Sequence, residues 1–310
     1  MRARLTVATL AAALALTGAS CSRPAVSYLG QTPPGPTPAL FAPGRVSTGA
    51  VELNGVFNPD FTEFFFARVV DGIQTMHHAV LEQGAWSAPR PLLLFPGGTR
   101  ATADDMSVSP DGQSLYFLGI HPHAQDPEGR GTDIWVSRRD GGAWSTATVV
   151  PAPISTPASE IYPVVVGDGS LYFISNRPGS LGPSDLYRAQ RRPDGSFDAP
   201  VNVGPPINGE HGTGDAYVSP DERYMIFASR RPPSFGSGDL FVSFRTDAGT
   251  WTEPVNLGDT INSALLDYCP MVTPDGRYLF FSRRNPGTWA EAKQGDVYWV
   301  DARVIDQFRR

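Results

Sequence analysis

The chain has 310 residues, of which 41% are hydrophobic and 18% are charged, as in an ordinary globular protein. Its formal net charge is -6 at pH 7, which argues against nucleic acid or an anionic membrane surface as a partner. The 32 glycines and 30 prolines stand between short apolar runs, a pattern that favours many strands joined by turns. One large all-β domain fits this length.

The N-terminus has the organisation of an export signal. Arg2 and Arg4 precede an apolar run over residues 5–16 that is too short to cross a bilayer, and small residues follow at 17–20. With Cys21 directly after them, the segment resembles a bacterial lipoprotein signal, and cleavage without lipidation is the alternative. We therefore predict a signal peptide over residues 1–20 and a lipidated Cys21 that begins an extended, Pro-rich tether over residues 21–38.

The rest of the chain repeats one unit of about fifty residues, which predicts stacked or radial repeats. The aspartates of its first turn are 51, 57, 53 and 54 residues apart: Asp60, Asp111, Asp168, Asp221 and Asp275. An apolar run precedes each turn and a second one follows it. Pro-Asp-Gly between two such runs is typical of a hairpin, because proline and glycine supply the turn dihedrals.

The apolar runs and turn markers within each unit predict four strands. In four copies the third strand begins with an aspartate (Asp133, Asp185, Asp239 and Asp296), and a marker such as Gly249-Thr250-Trp251 announces the fourth. Five copies of four antiparallel strands predict an all-β, five-bladed β-propeller over residues 39–310. The fifth copy lacks its fourth strand, and residues 39–46 align without gaps on residues 254–261. We therefore predict that an N-terminal strand closes the ring and protects its strand edges.

The repeat resembles the WD-like β-propeller repeats of TolB-type bacterial envelope proteins. The resemblance rests on Ser-Pro-Asp-Gly at residues 109–112, on Gly-Thr-Asp-Ile-Trp at 131–135, and on Pro-Val-Asn-Leu-Gly at 254–258 with Ile261-Asn262. It covers about residues 39–305. It implies a cell-envelope propeller that binds other molecules, and it makes a six-bladed, TolB-like ring the alternative fold.

Acidic residues stand at the start of the predicted inner strands, which line the channel of a propeller. Glu52, Glu160 and Asp267 lie eight residues before their turn aspartates, and Asp105 and Asp215 lie six before theirs. A cation site or a glycosidase would use such carboxyl groups. A catalytic residue is expected to break the repeat, however, whereas Glu52, Glu160 and Asp267 keep it. We interpret these three as structural, with catalysis as the alternative, and assign Asp105 and Asp215 to binding.

The third-strand aspartates recur in register with arginines that follow the second strand. These arginines are Arg68, Arg177, Arg230 and Arg283. A guanidinium offers a rigid fork of donors that suits a carboxylate. We expect aspartate–arginine pairs within or between blades, with the backbone amides of the turns as other donors.

Polar residues outside the repeat carry more functional information. His121 and His123 lie near carboxylates in a long loop and form a weak candidate metal site. Glu210 and His211, just before the fourth unit, are candidate binding residues. Cys269 lies in a predicted inner strand, where we expect a buried, inert thiol.

The sequence contains no Ser-centred elbow, Gly-rich phosphate loop or Cys-x-x-Cys pair, so we predict no cofactor. We expect an exported monomer, periplasmic or anchored to the outer membrane, that touches the membrane only through its lipid. Its partner is an envelope protein or a cell-wall glycan, and no nucleic acid. The alternative is a carbohydrate-active enzyme with carboxylates at the channel mouth.

The anchoring prediction is tested by Cys21→Ser. Loss of the thiol that carries the lipid should move the protein from the membrane fraction to the soluble periplasmic fraction, as judged by fractionation and immunoblotting. The wild-type N-terminus should carry acyl groups in a mass spectrum. A soluble, unacylated wild-type protein would contradict the lipoprotein prediction.

Overall fold

In the computed structural model, which describes residues 28–287, 292 and 294–309, the chain forms five antiparallel sheets, each with four strands in its main path. These sheets form the blades of a five-bladed β-propeller, which confirms the prediction and leaves the six-bladed alternative unsupported. In blades 1 to 4 the strands follow chain order from the inner to the outer edge. Blade 5 takes its outer strand from the N-terminus.

The strand bounds follow the repeat. The closing strand is β1 (Ala39–Leu40). Blade 1 contains β2 (Glu52–Phe57), β3 (Glu63–Val70), β4 (Ile73–Glu82), β5 (Ala85–Trp86) and β6 (Arg90–Pro91). Blade 2 contains β7 (Thr102–Val108), β8 (Ser114–Ile120), β9 (Asp133–Asp140), β10 (Ala143–Trp144) and β11 (Thr148–Val149).

The remaining blades are simpler. Blade 3 contains β12 (Glu160–Val165), β13 (Leu171–Ser175), β14 (Asp185–Ala189) and β15 (Val201–Asn202). Blade 4 contains β16 (Gly214–Val218), β17 (Tyr224–Ser229), β18 (Asp239–Phe244) and β19 (Val255–Asn256). Blade 5 contains β20 (Leu266–Val272), β21 (Tyr278–Arg284) and β22 (Gly295–Asp301). Short 3₁₀ segments lie at Pro96–Gly98 and Ala302–Phe308.

The Ser-Pro-Asp turns join the first and second strands, and the face that carries them is called the turn face. In blade 4, Ser219 Oγ donates to Asp221 Oδ1 over 2.7 Å and accepts the amides of Arg223 and Tyr224. Blades 2 and 5 repeat this arrangement. A short polar side chain that bonds to its own backbone favours a turn over a continued strand. The opposite face, which carries the loops between the second and third strands, is called the loop face.

An asparagine pair explains the Pro-Val-Asn-Leu-Gly motif. In blade 4, Asn256 Oδ1 accepts Asn262 Nδ2 over 2.8 Å, and Asn262 bonds to both backbone groups of Leu240. Asn202 and Asn208 form the same network in blade 3. These amides tie the outer strand and the linker after it to the third strand. Because the groups are buried, each partner matters for stability.

The ring closes where β1 pairs with β22, and the closing-strand prediction is confirmed. The predicted alignment is displaced by one residue, however: Leu40 lies opposite Tyr298, where Asn256 lies opposite Phe241 in blade 4. Phe41 therefore takes the place of Leu257, and both donate to the third strand. Since side chains alternate across a strand, this register brings the apolar Phe41 into the core. The closing strand has no Asn-x-Gly marker to align by, so the sequence could not set this register.

The folded part of the chain begins before residue 39, which corrects the predicted tether. Tyr28 and Leu29 are buried, and Tyr28 Oη donates to Asp275 over 2.7 Å. The Tyr28 ring packs edge-on against Phe57 and Tyr278, at 5.9 and 4.9 Å between centroids. Residues 21–27 lie outside the described residues, as does the predicted signal peptide. No helix in the described part of the chain is long and apolar enough to span a bilayer.

Phe41→Ala tests the role of the closing strand. The side chain is fully buried and contacts Phe64, Phe280 and Trp299 at 4.7 to 5.1 Å between centroids. Its truncation leaves a cavity at the closing seam, so we expect a loss of about 3–5 kcal/mol in the free energy of unfolding.

Urea denaturation measures this loss, and Leu257→Ala at the matched position of blade 4 is the control, with an expected loss of about 2–5 kcal/mol. A loss below about 1 kcal/mol for Phe41→Ala, beside a normal loss in the control, would contradict the closing role.

Candidate functional site

The three repeated acids that sequence analysis offered as catalytic alternatives form buried ion pairs. Glu52 accepts Arg68 Nε over 2.8 Å, Glu160 accepts Arg177 over 3.0 Å, and Asp267 accepts Arg283 over 2.6 Å. All three carboxylates have no solvent exposure. A hydroxyl four residues earlier also donates to each acid, from Thr48, Thr156 and Ser263 respectively.

The arginines of these pairs join neighbouring blades. Arg177 donates to the carbonyls of Pro153 and Ile154 in the linker from blade 2, and Arg283 donates to Ile261 in the linker from blade 4. Burial raises the pKa of Glu160 and of Asp267, and the arginine charge opposes the shift. With every such carboxylate caged by donors, the geometry favours the structural interpretation.

Blade 4 departs from this pattern and corrects one assignment. Arg231, and not Arg230, donates to the linker carbonyls of Pro206 and Ile207. Thr213 stands at the acid position and donates to the same Ile207 carbonyl over 2.9 Å. The sequence contains Arg230-Arg231, and spacing alone could not tell which side chain turns towards the linker.

In blades 3 and 4 the third-strand aspartates bind backbone amides instead of these arginines, so the expected aspartate–arginine pairs are wrong there. Asp239 accepts the amides of Phe235 and Gly236 and the side chain of Asn256. Asp185 accepts the amide of Leu181 and the side chain of Asn202. Each carboxylate therefore holds the loop-face turn of its own blade to the outer strand. The backbone amides of the turns, which we also expected as donors, are the partners in these two blades.

Five residues, one from each inner strand, meet at the axis of the ring. They are Asn54, Asp105, Tyr162, Asp215 and Cys269. Each has a positive φ, from 22° to 54°, at a register shift where the strand bulges. A bulge adds a residue and redirects the neighbouring side chains. The candidate binding residues Asp105 and Asp215 thus belong to one axial belt.

The belt residues connect blades both around the ring and across its axis. Asn54 Oδ1 accepts the amide of Met106, and Tyr162 Oη donates to the Pro270 carbonyl over 2.7 Å. Asp215 accepts the amide of Cys269 over 3.3 Å. The Cys269 thiol lies between two carboxylates, 3.5 Å from Asp215 and 3.9 Å from Asp105. As predicted, Cys269 is buried.

The axial carboxyl groups resist ionisation. Burial raises the pKa of Asp104 to about 7, and burial together with Asp104 and Asp215 raises the pKa of Asp105. Burial also raises the pKa of Asp215, although bonds from Cys269 and the charge of Arg284 oppose this. At neutral pH the cluster therefore retains protons. The cluster around Asp104, Asp105 and Asp215 is called the polar plug, and Asp104 and Asp105 are buried within it.

Sequence analysis missed Asn54, Asp104, Tyr162 and Tyr268 in this cluster. Tyr268 Oη and Asn54 Nδ2 are buried and have no hydrogen-bond partner among the described residues. Asn54, Tyr162 and Tyr268 share a signal in the sequence, because each lies one or two residues after a repeated acid, at 52, 160 or 267. A prediction that assumes strict alternation of side chains along a strand places these residues on the wrong face, because the bulge breaks the period of two.

A large cavity lies on the axis at the turn face, below the polar plug. Its volume is about 980 Å³, and residues from all five blades line it. The walls are mostly apolar and include Val56, Val108, Val164, Val218 and Met271. Its mouth is formed by the first turns, where Asp60, Asp221 and Asp275 alternate with prolines. This cavity is called the vestibule.

The remaining candidate residues lie on the loop face. Glu210 and His211 are exposed neighbours, 3.5 Å apart, in the linker between blades 3 and 4. His121 stacks on Phe95 at 4.8 Å between centroids, and the rings of His121 and His123 each lie 5.7 Å from Trp135.

A different group could hold a metal: His123, Asp126 and Asp133. His123 Nε2 lies 2.9 Å from Asp133, at the position where loop amides serve in blades 3 and 4. Asp126 accepts the amides of Gly129, Arg130 and Gly131. These contacts give each residue a role in ordering the loop, so the arrangement favours loop support over metal binding.

No protein-family model matches the chain, and no curated protein sequence matches it. Among solved structures, the BT0996 RGII complex matches with a TM-score of 0.55 and 11% identity, over 88% of this chain and 92% of that one. The putative TolB from Agrobacterium tumefaciens matches with a TM-score of 0.47 and 18% identity, over 79% and 73%. The catalytic domain of the Coprinopsis cinerea GH62 α-L-arabinofuranosidase matches with 0.49 and 11%, over 86% and 94%. At such identities the likeness concerns the fold alone.

The axial cluster makes a prediction about pH. Because the pKa of Asp104 is about 7 when folded and about 4 when unfolded, the folded state binds more protons between these values, and stability falls as pH rises through them. Asp104→Asn removes this titration and keeps an acceptor for the Asp105 amide. We expect it to raise the free energy of unfolding at pH 8 by on the order of 2 kcal/mol, with little change near pH 4.

Urea denaturation at three pH values measures the effect. Asp111→Asn is the control, and its effect on the free energy of unfolding should have the opposite sign. A hydrogen bond from Ser109 lowers the pKa of the Asp111 carboxyl, so the charged form of this group stabilises the fold. A loss of stability at pH 8 in Asp104→Asn would show that the buried charge is required.

Proposed function

We propose that this propeller is a binding module of the cell envelope, which holds an extended segment of a partner protein in the vestibule. The observation that carries the proposal is the vestibule itself, a cavity of about 980 Å³ to which every blade contributes. Binding sites are typically concave, mostly apolar and few per protein. The central cavity of the ring has this character.

The state of the acids supports binding over the carbohydrate-active alternative. Glycoside hydrolysis needs two carboxyl groups that reach the substrate. Glu52, Glu160 and Asp267 are instead fully buried in ion pairs with arginine. Asp104 and Asp105 lie in the polar plug, with 3% and 7% of their surface exposed. Neither set offers an accessible carboxylate pair.

The lining indicates the chemistry of the partner. Valines and Met271 form the walls, so an inserted apolar side chain would replace water there. Three carboxylates stand at the mouth, and Arg223 balances only that of Asp221, at 3.3 Å. An apolar residue flanked by lysine or arginine fits this combination of wall and rim.

The start of the described chain supports a site close to the membrane. Tyr28 bonds to Asp275 at the mouth of the vestibule, and six residues lie between Tyr28 and the proposed lipid site at Cys21. The steps from Cys21 to Tyr28 span at most roughly 25 Å. A lipid on Cys21 would therefore hold the turn face near the membrane, where envelope proteins present their juxtamembrane segments.

Site-specific photo-crosslinking in intact cells tests the proposal. A photoreactive residue at Phe61, which is partly exposed in the vestibule, should capture one defined partner. The same residue at Leu181, 52% exposed on the loop face, is the matched control and should not capture it. Val108→Arg should abolish capture from Phe61, because it places a charge in the apolar wall and repels a basic segment.

The purified partner should then bind the wild-type propeller and lose at least about tenfold in affinity with Val108→Arg. Equal capture from both faces, or capture that Val108→Arg leaves unchanged, would refute the vestibule as the binding site.

A further inference from the structure

A second cavity lies far from the axis, in the outer seam between blades 3 and 4. Its volume is about 470 Å³, and it opens on the side of the ring. Blade 3 contributes Tyr172, Arg188 and Gln190, and blade 4 contributes Arg245 and Trp251. Asp198, Asn202 and Thr250 complete its polar rim. This cavity is called the seam groove.

The seam groove combines an aromatic wall with planar polar side chains. The Trp251 indole is only partly buried, and the Arg245 guanidinium lies 5.5 Å from its centroid. Tyr172 forms the floor and donates its hydroxyl to Glu222 over 2.5 Å. Gln190 is exposed at the rim and offers both an amide donor and an acceptor.

The charges of the groove balance one another. Arg188 pairs with Glu222 at 2.9 Å and with Asp168 at 2.8 Å, and Arg245 pairs with Glu222 at 3.4 Å. At the rim, Asp198 pairs with Arg192 at 2.7 Å. Three arginines thus face three carboxylates, so no net charge attracts an ionic ligand. The guanidiniums still offer other N–H groups, because each carries five.

The equivalent seam between blades 1 and 2 shows how the same repeat position is closed. Trp144 pairs with Arg139 as Trp251 pairs with Arg245. There, however, the guanidinium of Arg139 lies 3.9 Å from the indole centroid, and Glu63 accepts the indole N–H over 3.1 Å. The ring face and the ring nitrogen of Trp144 are both engaged within the protein.

The seam between blades 2 and 3 is closed in another way. Phe197 replaces the tryptophan and is buried with Tyr116 in an apolar cluster. Arg191 lies over Phe197 and donates to the Tyr116 hydroxyl. Among these three seams, the one between blades 3 and 4 departs from the closed pattern, and a functional site is expected to break a repeat.

We propose that the seam groove binds a neutral saccharide. A sugar ring has apolar C–H faces that pack on an aromatic plane. Its hydroxyls both donate and accept hydrogen bonds, so they can pair with the amide of Gln190, the carboxylate of Asp198 and the guanidiniums at the rim. The balanced charges disfavour a phosphate or uronic acid. A volume near 470 Å³ falls within the range of small-ligand sites and takes about two to three sugar units. This site lies apart from the vestibule, so the two proposals stand or fall separately.

The test is calorimetric titration of the purified, full mature protein with three probes: chitotriose, cellotriose and trigalacturonate. We expect at least one neutral trisaccharide to bind, and trigalacturonate to bind more weakly at the same salt concentration. Trp251→Ala should weaken binding about tenfold or more, and Trp251→Phe should retain most of it. Trp144→Ala, at the matched but closed position, should leave affinity within about twofold.

A thermal melt of each variant separates loss of binding from loss of fold. Gln190→Ala, at the exposed rim, is a further variant for the binding measurement that leaves the core intact. Absence of binding by both neutral probes at about 10 mM would overturn the proposal. Equal weakening by Trp144→Ala, or stronger and salt-sensitive binding of trigalacturonate, would do so as well.

Discussion

The pairing of β1 with β22 is the constraint on which the rest of the ring depends. Blade 5 draws three strands from the end of the chain and one from its beginning, so blade 5 is complete only when both ends meet. Without β1, the hydrogen-bonding edge of β22 would face solvent, and an unpaired edge invites association with other chains. Phe41 reinforces the pairing by filling the core between blades 1 and 5. Tyr28 extends the contact as far as the turn of blade 5.

Closure brings a set of buried polar contacts with it. A carboxylate of the inner strand, an arginine and the carbonyls of the preceding linker join one blade to the next. Buried charges are tolerated because each one is paired and bonded on several sides. The repeated acids and arginines are therefore parts of the scaffold. Function is better sought in the vestibule, where all five blades meet, and in the groove beside Trp251, where the repeat is broken.

The two proposed sites suit different ligands because their walls differ. The vestibule has mostly apolar walls with carboxylates at its mouth, whereas the seam groove has an aromatic wall and charges that balance one another. A propeller can serve two partners in this way, since its face and its side are separate surfaces. An exported module that holds a protein near the membrane and a glycan at its side would link two components of the envelope.

The sequence by itself determined the number of blades, the four strands of each and the closure by an N-terminal strand, because turn chemistry and apolar periodicity are local properties. It also indicated that Glu52, Glu160 and Asp267 are structural, since they follow the repeat. Only the tertiary structure decided which arginine of Arg230-Arg231 reaches the linker, and that Phe41 and not Leu40 enters the core. It alone brought Asn54, Asp105, Tyr162, Asp215 and Cys269 to one axis. These outcomes depend on bulges, strand register and contacts between blades, where residues about fifty apart in sequence meet, and no local pattern encodes such meetings.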